Sequence, residues 1–535
     1  MSSVSVAQES ARGTIILLVG NLLTTAIGTV TTIFVARLLG PDGYGVYTLA
    51  FVIPGLLNQF VGLGVNVAVT RYVAFFVSKG ELERARSITR TATIFLFLFG
   101  ALLSAANYFF APLLVPSVLH RPELVSTVQL TSIWILGVSM SGSAQSAFIG
   151  WNSMAVTSGF NVLLSVLKLV VTVGLILAGF GIFGAIVGHV SAYTFEGILA
   201  VGGLYFLKMR PWGHRTEHFL GDVKSMLGYG LPLFPAQVAI GLASQVVFIV
   251  LAAIATNAVV GYFQAASNVT IAISLVSGAL STVLFRSFAA LHGLDEDISL
   301  AFAYSVKYSS YILTPVVFYL LATATPLVEI LYGASYAPSV ILLQIAAISF
   351  LPVAIGMSVL TSFFNGVGTS RLTLFISIVS AVGLAAGSFV LGEVFGLGAV
   401  GVMLSLAVSN LAMTLVGLIL SKKYLRTHLP LTPLLGIFAA GLIAFAAVWL
   451  LPSGALSSAE ALVVDSAIYL IAYLTLVPLL LGVDEDDLIR LSIAAETMGP
   501  IRRAFGVFLS YERRILAVRR GGKPRVNATS VEASE

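Results

Sequence analysis

The sequence predicts an all-α polytopic membrane protein with about 14 transmembrane helices. They form two pseudo-symmetric six-helix lobes, with two extra helices toward the C-terminus. Three observations lead there. Charged residues make up only 10% of the chain and the mean hydropathy is +1.01, whereas a water-soluble chain carries about a quarter of its residues charged. Basic residues collect in alternate connecting segments. Short markers recur at a spacing of about 215 residues.

The apolar runs define the elements. Crossing the hydrocarbon core takes about 20 residues of helix. Runs of that size occupy 13–37, 45–76, 87–114, 125–149, 154–179, 182–207, 226–255, 258–288, 301–330, 338–365, 371–391, 397–420, 432–451 and 462–482. Pro54, Pro232, Pro235, Pro315 and Pro352 fall inside them, which membrane helices tolerate because neighbours satisfy the freed backbone groups. Polar residues 1–12 precede a first run of about 24 residues, longer than the core of a cleavable signal peptide, so that run is read as the first span. Cysteine is absent, which excludes disulfides and thiolate metal sites.

Cytoplasmic loops are enriched in Lys and Arg. With the N-terminus inside, 77–90 holds Lys79, Arg84, Arg86 and Arg90, and 208–225 holds Lys208, Arg210, Arg215 and Lys224. Arg12, Arg371, the trio Lys422, Lys423 and Arg426, and the tail bring the cytoplasmic total to 22 of 28. Both termini are therefore expected on the cytoplasmic side of the inner membrane. The expected organisation is an N-lobe over 1–207, a basic linker over 208–225, a C-lobe over 226–420, two helices over 421–482 and a basic tail over 483–535. In that tail Ile501, Phe505, Phe508, Leu509 and Ile515 alternate with Arg502, Arg503, Arg513 and Arg514, the pattern of a helix lying on an anionic leaflet. The pI near 9.3 then reports orientation, and no nucleic-acid partner is expected.

The two halves share a register. Gly45-Val46-Tyr47 matches Gly261-Tyr262-Phe263 at an offset of 216, Arg71 matches Arg286 and Phe148 matches Phe363 at 215, and Gly184-Ala185-Ile186 matches Gly398-Ala399-Val400 at 214. A near-constant offset indicates an internal duplication. Duplicated bundles are the usual architecture of transporters, in which one repeat rocks against the other around a site between them. The polar stretch RLLGPDGYGVY, residues 37–47, is then the outer turn between the first two helices, with Thr256 to Gly261 as its counterpart. Turn-making accounts for its glycines but not for Arg37.

Polar stripes mark a shared cavity. Asn21, Thr25, Gly28 and Thr32 fall on one helical face, and the offset of 216 lays Asn21 on Gln237, Thr25 on Gly241 and Gly28 on Ser244. Gln59 and Asn66 on the second helix, and Gln264 and Asn268 on the eighth, add to it; helix packing is the plainer reading of any one position. A cation at bilayer depth costs a few kcal/mol and normally faces a cavity or a partner. Lys168 sits near the middle of the fifth helix with no carboxylate on that helix. Arg71 and Arg286 lie nearer the cytoplasmic ends, Lys307 near the start of the ninth, and Arg37 at an outer end. Burial and repeat symmetry make Lys168, Arg286 and Lys307 candidate ligands for an anionic substrate such as a phosphate or pyrophosphate headgroup. Glu196, Glu329, Glu393 and Asp465 lie toward span ends, so no buried acid is expected in a lobe.

The run ARLLGPDGYGVYTLA, then GLGVNVAVTRYVA and the basic KGELERAR, resembles the start of the polysaccharide-flippase family of the MOP superfamily, which also holds the MATE exporters and the lipid II flippases. Through span count and doubled lobe the resemblance covers essentially the whole chain. It implies translocation of polyprenyl-(pyro)phosphate-linked oligosaccharides for surface polysaccharide or glycoprotein assembly. Its partners would be the lipid-linked glycan, membrane lipids and polymerase or glycosyltransferase machinery, with no cofactor and no enzymatic step. In related flippases basic residues of the central cavity contact the lipid phosphate, which carries over to Arg71 in TRYVA and to Arg37 in ARLLG. The alternative is a MATE-type multidrug or cation antiporter, which would bury a functional carboxylate. A membrane enzyme would need a sizeable loop with catalytic groups. The longest internal loop holds only His214, Glu217 and His218 among basic neighbours and reads as solvated. No phosphate-binding glycine loop suggests use of ATP.

Overall fold

The computed structural model describes residues 3–210, 218–293, 298–450, 456–496 and 502–519, and every regular element among them is a helix. In chain order these are α1 Ser3–Ala50, α2 Val52–Asn58, α3 Val65–Ser78, α4 Leu82–Leu114, α5 Val125–Leu130, α6 Ser132–Gly150, α7 Met154–Leu175, α8 Gly181–Leu204, α9 Phe219–Gly230, α10 Phe234–Ile254 and α11 Asn257–Val269. There follow α12 Ile271–Gly293, α13 Ile298–Ala322, α14 Ala324–Tyr332, α15 Ser339–Ser349, α16 Ser358–Gly366, α17 Ser370–Gly387, α18 Gly398–Leu425, α19 Leu431–Trp449, α20 Ser458–Leu479, α21 Glu485–Glu496 and α22 Arg502–Arg519.

Among the described residues ten helical stretches are long and apolar enough to cross a bilayer, or eleven if α13 and α14, bent by 73°, make one crossing. The protein is therefore a multi-pass membrane protein. Some stretches exceed one crossing. Met154–Met209 runs 56 residues, about 84 Å at 1.5 Å per residue, against a hydrocarbon core of about 30 Å. It breaks at Gly179 and Gly181, with φ of 92° and 51°. The predicted turn at 37–47 is a one-residue break in α1. Gly40 alone leaves the helical region, at φ 69°, a value side chains disfavour. Pro41 then opens the next segment, where its missing N–H is no loss.

The chain packs as two compact units: residues 1–268 with 331–342 and 377–409, and residues 269–330 with 343–376 and the chain from Asn410 onward. In the first, α7 packs against α1 and α8, and α8 against α6. Lipid provides no hydrophobic drive between helices, so close approach at small residues and interhelical hydrogen bonds hold them. A Cβ on Gly137 would lie 2.8 Å from the Thr194 nitrogen and one on Gly197 2.8 Å from the Gly137 oxygen, so α6 and α8 meet backbone to backbone. Ser139 Oγ donates to the Leu96 carbonyl at 2.6 Å, joining α6 to α4.

Local contacts recur at the repeat spacing. Gly150 packs on Thr70 and Val73 in the first unit, and Gly366 on Phe285 and Phe288 in the second. Phe148 and Phe363 are fully buried beside them. In the second unit α19 packs against α13 and α20, and α22 against α20 and α21. Leu509 and Leu516 of α22 join Ile437, Tyr469 and Val477 in one apolar cluster. The sequence lays this amphipathic face on a lipid leaflet; the structure docks it on protein and leaves Arg513 and Arg514 exposed. Ile501, and the side chains of Arg502, Arg503 and Phe505, lie outside the described residues.

Candidate functional site

The interior of the first unit gathers aromatic and ionisable groups around α8. His189, Tyr193 and Glu196 stand at i, i+4 and i+7, one face of that helix. The Gly137 and Gly197 contacts press this face against α6, and α7 brings Lys168 beside it. Tyr47 Oη lies 2.5 Å from His189 Nδ1. The His189 ring packs 4.4 Å from Phe51 and 5.1 Å from Tyr193, centroid to centroid, with Trp134 edge-on at 6.1 Å. His189 Nε2 and Trp134 Nε1 have no hydrogen-bond partner among the described residues. Lys168 is half-buried, lies within electrostatic reach of His189, and forms no ion pair among the described residues.

Glu196 corrects the expectation of no buried acid. The helix continues past it to Met209, so it lies well inside the element rather than at its end. It is fully buried. Neither carboxyl oxygen has a hydrogen-bond partner among the described residues, though Ser141 of α6 is close by. Asp465 is also buried, within α20. The spacing of His189, Tyr193 and Glu196 was visible in the sequence, and the expected sixth span, 182–207, already placed Glu196 near its middle.

The remaining candidates have different surroundings. Arg71 is exposed on α3, with its guanidinium 4.2 Å from the Tyr229 ring centroid and 5.6 Å from that of Tyr72. Such stacking holds a cation at an interface without neutralising it. Arg37 is exposed just before Gly40, and Arg286 is exposed on α12. Asn21 is exposed, and its carbonyl accepts from Thr25 Oγ1 at 2.8 Å. Asn66 is half-buried, with its side-chain oxygen unpartnered among the described residues. Asn268 donates to Tyr44 Oη at 2.8 Å and accepts from Gln264 at 2.8 Å, which makes it a packing residue. The side chain of Gln237 lies outside the described residues, as do His214 and Glu217. Gly241 leaves space that the Gln59 amide fills, so this part of the stripe joins α2 to α10.

Lys307 has carboxylate partners. It is 6% exposed, and its ammonium pairs with Asp487 and lies 3.6 Å from Asp484. Tyr308 Oη donates to the other Asp487 oxygen at 3.1 Å. Both carboxylates belong to the segment that opens α21. The Lys307 charge is thus already neutralised by the tail.

A family model described as polysaccharide biosynthesis protein matches residues 34–341. The chain belongs to the polysaccharide biosynthesis protein family. The succinoglycan biosynthesis transport protein ExoT of Rhizobium meliloti (strain 1021) is 24% identical to this family member over 390 residues, covering 72% of this chain and 75% of its own. Among solved structures, the lipid II flippase MurJ in an inward closed conformation matches with a TM-score of 0.69 at 16% identity, covering 86% of this chain and 98% of MurJ. An inward-facing multidrug resistance MATE family transporter of the MOP superfamily matches at 0.60 and 17% identity, covering 80% and 95%. At such identities the likeness is one of fold. This member of the polysaccharide biosynthesis family has the helical architecture of the MOP-superfamily transporters.

Proposed function

We propose that the protein is a flippase that moves polyprenyl-(pyro)phosphate-linked oligosaccharides across the cytoplasmic membrane by alternating access, for surface polysaccharide or glycoprotein assembly. One observation carries the reading: a half-buried Lys168 with no ion pair among the described residues, beside a histidine–aromatic cluster, inside a chain of the polysaccharide biosynthesis family. A cation held at that depth is costly unless it meets an anion, and a lipid-linked phosphate supplies one through charge-assisted hydrogen bonds. The faces of Tyr47, Trp134 and Tyr193 suit the apolar faces of sugar rings, and the unpartnered nitrogens of His189 and Trp134 suit their hydroxyls. In this reading Lys168 binds the phosphate, with Arg71, Arg286 and Arg37 along its route and Asn21, Asn66 and Gln237 lining it. Glycan polymerase or glycosyltransferase machinery would supply or take up the glycan.

The topology belongs to the same proposal. Taking the bent α13–α14 pair as one crossing, dividing the over-long stretches at Gly40 and at Gly179–Gly181, and adding α10 leads to fourteen crossings with both termini cytoplasmic. The recurring Gly150 and Gly366 contacts support two six-helix lobes over 1–207 and 226–420, the basic linker 208–225 between them, and α19, α20 and the tail as additions.

The test is reconstitution in liposomes with a fluorescent polyprenyl-pyrophosphate glycan, following headgroup accessibility. Lys168→Ala and Arg71→Ala are each expected to lower translocation at least tenfold with folding intact. Translocation indifferent to both changes sinks the assignment of the phosphate site. A second reading, a MATE-type cation antiporter, is favoured by the buried Glu196. It predicts efflux of cationic dyes that Glu196→Gln abolishes, with no movement of the lipid-linked probe.

A further inference from the structure

Two helix starts meet in a reciprocal contact inside the first unit. After Gly40 the chain re-enters helix at Pro41, and after Thr256 it does so at Asn257, the first residue of α11. A Cβ built on Gly45 would lie 2.6 Å from the carbonyl carbon of Asn257; one built on Gly261 would lie 2.9 Å from the carbonyl carbon of Pro41. The carbonyl oxygens are closer still, and both glycines are buried. These are the same contact made twice. Gly45 and Gly261 are 216 residues apart, and so are Pro41 and Asn257. A pseudo-two-fold axis therefore passes between the two helix starts.

Turn-making explains Gly40, whose φ is positive, but not Gly45 or Gly261. Neither is among the residues of positive φ, and both lie inside helical segments, where glycine is disfavoured. What requires them is the close approach of a second backbone. At the two glycines the helices face one another through main chain. Hydrogen bonds join the same segments: Asn268 to Tyr44 Oη at 2.8 Å, Tyr336 Oη to the Ala36 carbonyl at 2.8 Å, and Arg121 to the carbonyls of Ala252, at 3.2 Å, and Ala255. Arg121 thereby caps the C-terminal end of α10, where the helix dipole favours a cation.

We infer that Gly45 and Gly261 are positioning residues of the transport cycle: their missing side chains let the starts of two repeat-related helices close on one another as a two-fold clasp, and transport requires that clasp to open and re-form. The inference rests on the alternating-access reading above.

The chain contains no cysteine, so labels report single sites. Spin labels on Asp42→Cys and Ala258→Cys, themselves 216 residues apart, measure the clasp without any substrate. A short-distance population is expected in the otherwise unaltered chain. Gly45→Val and Gly261→Val should each deplete it about tenfold, leave the thermal midpoint unchanged, and lower translocation of the fluorescent polyprenyl-pyrophosphate glycan to a similar degree. A short-distance population that survives either substitution overturns the clasp, as does a response to only one of the two. If the valine variants do not fold, the cysteine pair alone decides. Joining it with a cleavable bifunctional thiol reagent should stop translocation, and cleaving the link should restore it; undiminished translocation by the joined protein overturns the inference. Labels that shift as expected in a protein that moves no lipid-linked glycan would leave the clasp standing and remove the substrate reading.

Discussion

Replacing Lys307 and Asp487, singly and together, separates an anchor from a substrate ligand. Lys307 is nearly buried against Asp487, which is itself 2% exposed. Removing one member of a buried pair costs about 3–5 kcal/mol, because the other charge is left without a partner away from water. Two details move the expectation to the low end. Asp484 still reaches Lys307 at 3.6 Å, and its side chain is 59% exposed, so water relieves part of the loss. Against that, Asp487 also accepts the Asp484 backbone N–H at 2.8 Å, capping α21. Asp487→Leu or Lys307→Met should thus loosen the tail by about 3 kcal/mol. Hydrogen exchange of the α21 and α22 amides should then quicken about a hundredfold, at roughly 1.4 kcal/mol per tenfold. The double variant Lys307→Met/Asp487→Leu should recover most of this, since apolar replacement of a buried pair is often neutral, so the two losses should be far from additive. Translocation should follow the same recovery. The reasoning fails if Lys307→Met leaves exchange unchanged and abolishes translocation, or if the double variant restores exchange but not translocation. Either result would return Lys307 to the substrate path.

Arg84 forks onto Asp222, which is 1% exposed, with one bond at 3.2 Å and a second shorter one. Arg84→Ala is expected to release α9 from α4 at a cost of about 2 kcal/mol, read as faster hydrogen exchange confined to α9. Glu512 of α22 makes tail docking sensitive to pH. Burial pushes its carboxyl up to about 8 from 4.5, with the hydrogen bond from Tyr311 working in the opposite direction. The docked state therefore holds a proton that the undocked state loses, and docking weakens as pH rises from about 4.5 to about 8. Glu512→Gln should flatten this dependence and slow α22 exchange at pH 8, and an unchanged pH profile would refute the assignment.

Much of the candidate site was legible, unevenly. Lys168 stood out because a lone cation within a long apolar run is costly wherever the chain folds. Lys307 stood out for the same reason, but the sequence did not show that it has a carboxylate partner. Its partner lies 180 residues further on, in a segment that hydropathy alone reads as a surface helix. Tyr47 and His189 escaped notice because they meet across 142 residues, and neither is unusual in its own neighbourhood. Glu196 was misjudged although its span was placed correctly: 182–207 already set it near the middle of an apolar run, where a lone carboxyl is costly.

Class, multi-pass character and the register of the repeat were determined by the sequence alone, because the cost of burying a residue in lipid is a local sum and a duplication keeps its own offset. The uses of the individual polar and small residues were decided only by tertiary structure. Whether a charge is free or neutralised, and whether a glycine serves a turn or a close approach, depends on which distant backbone arrives beside it. Gly40 and Gly45 show the difference within six residues: one adopts φ 69°, the other makes room for Asn257.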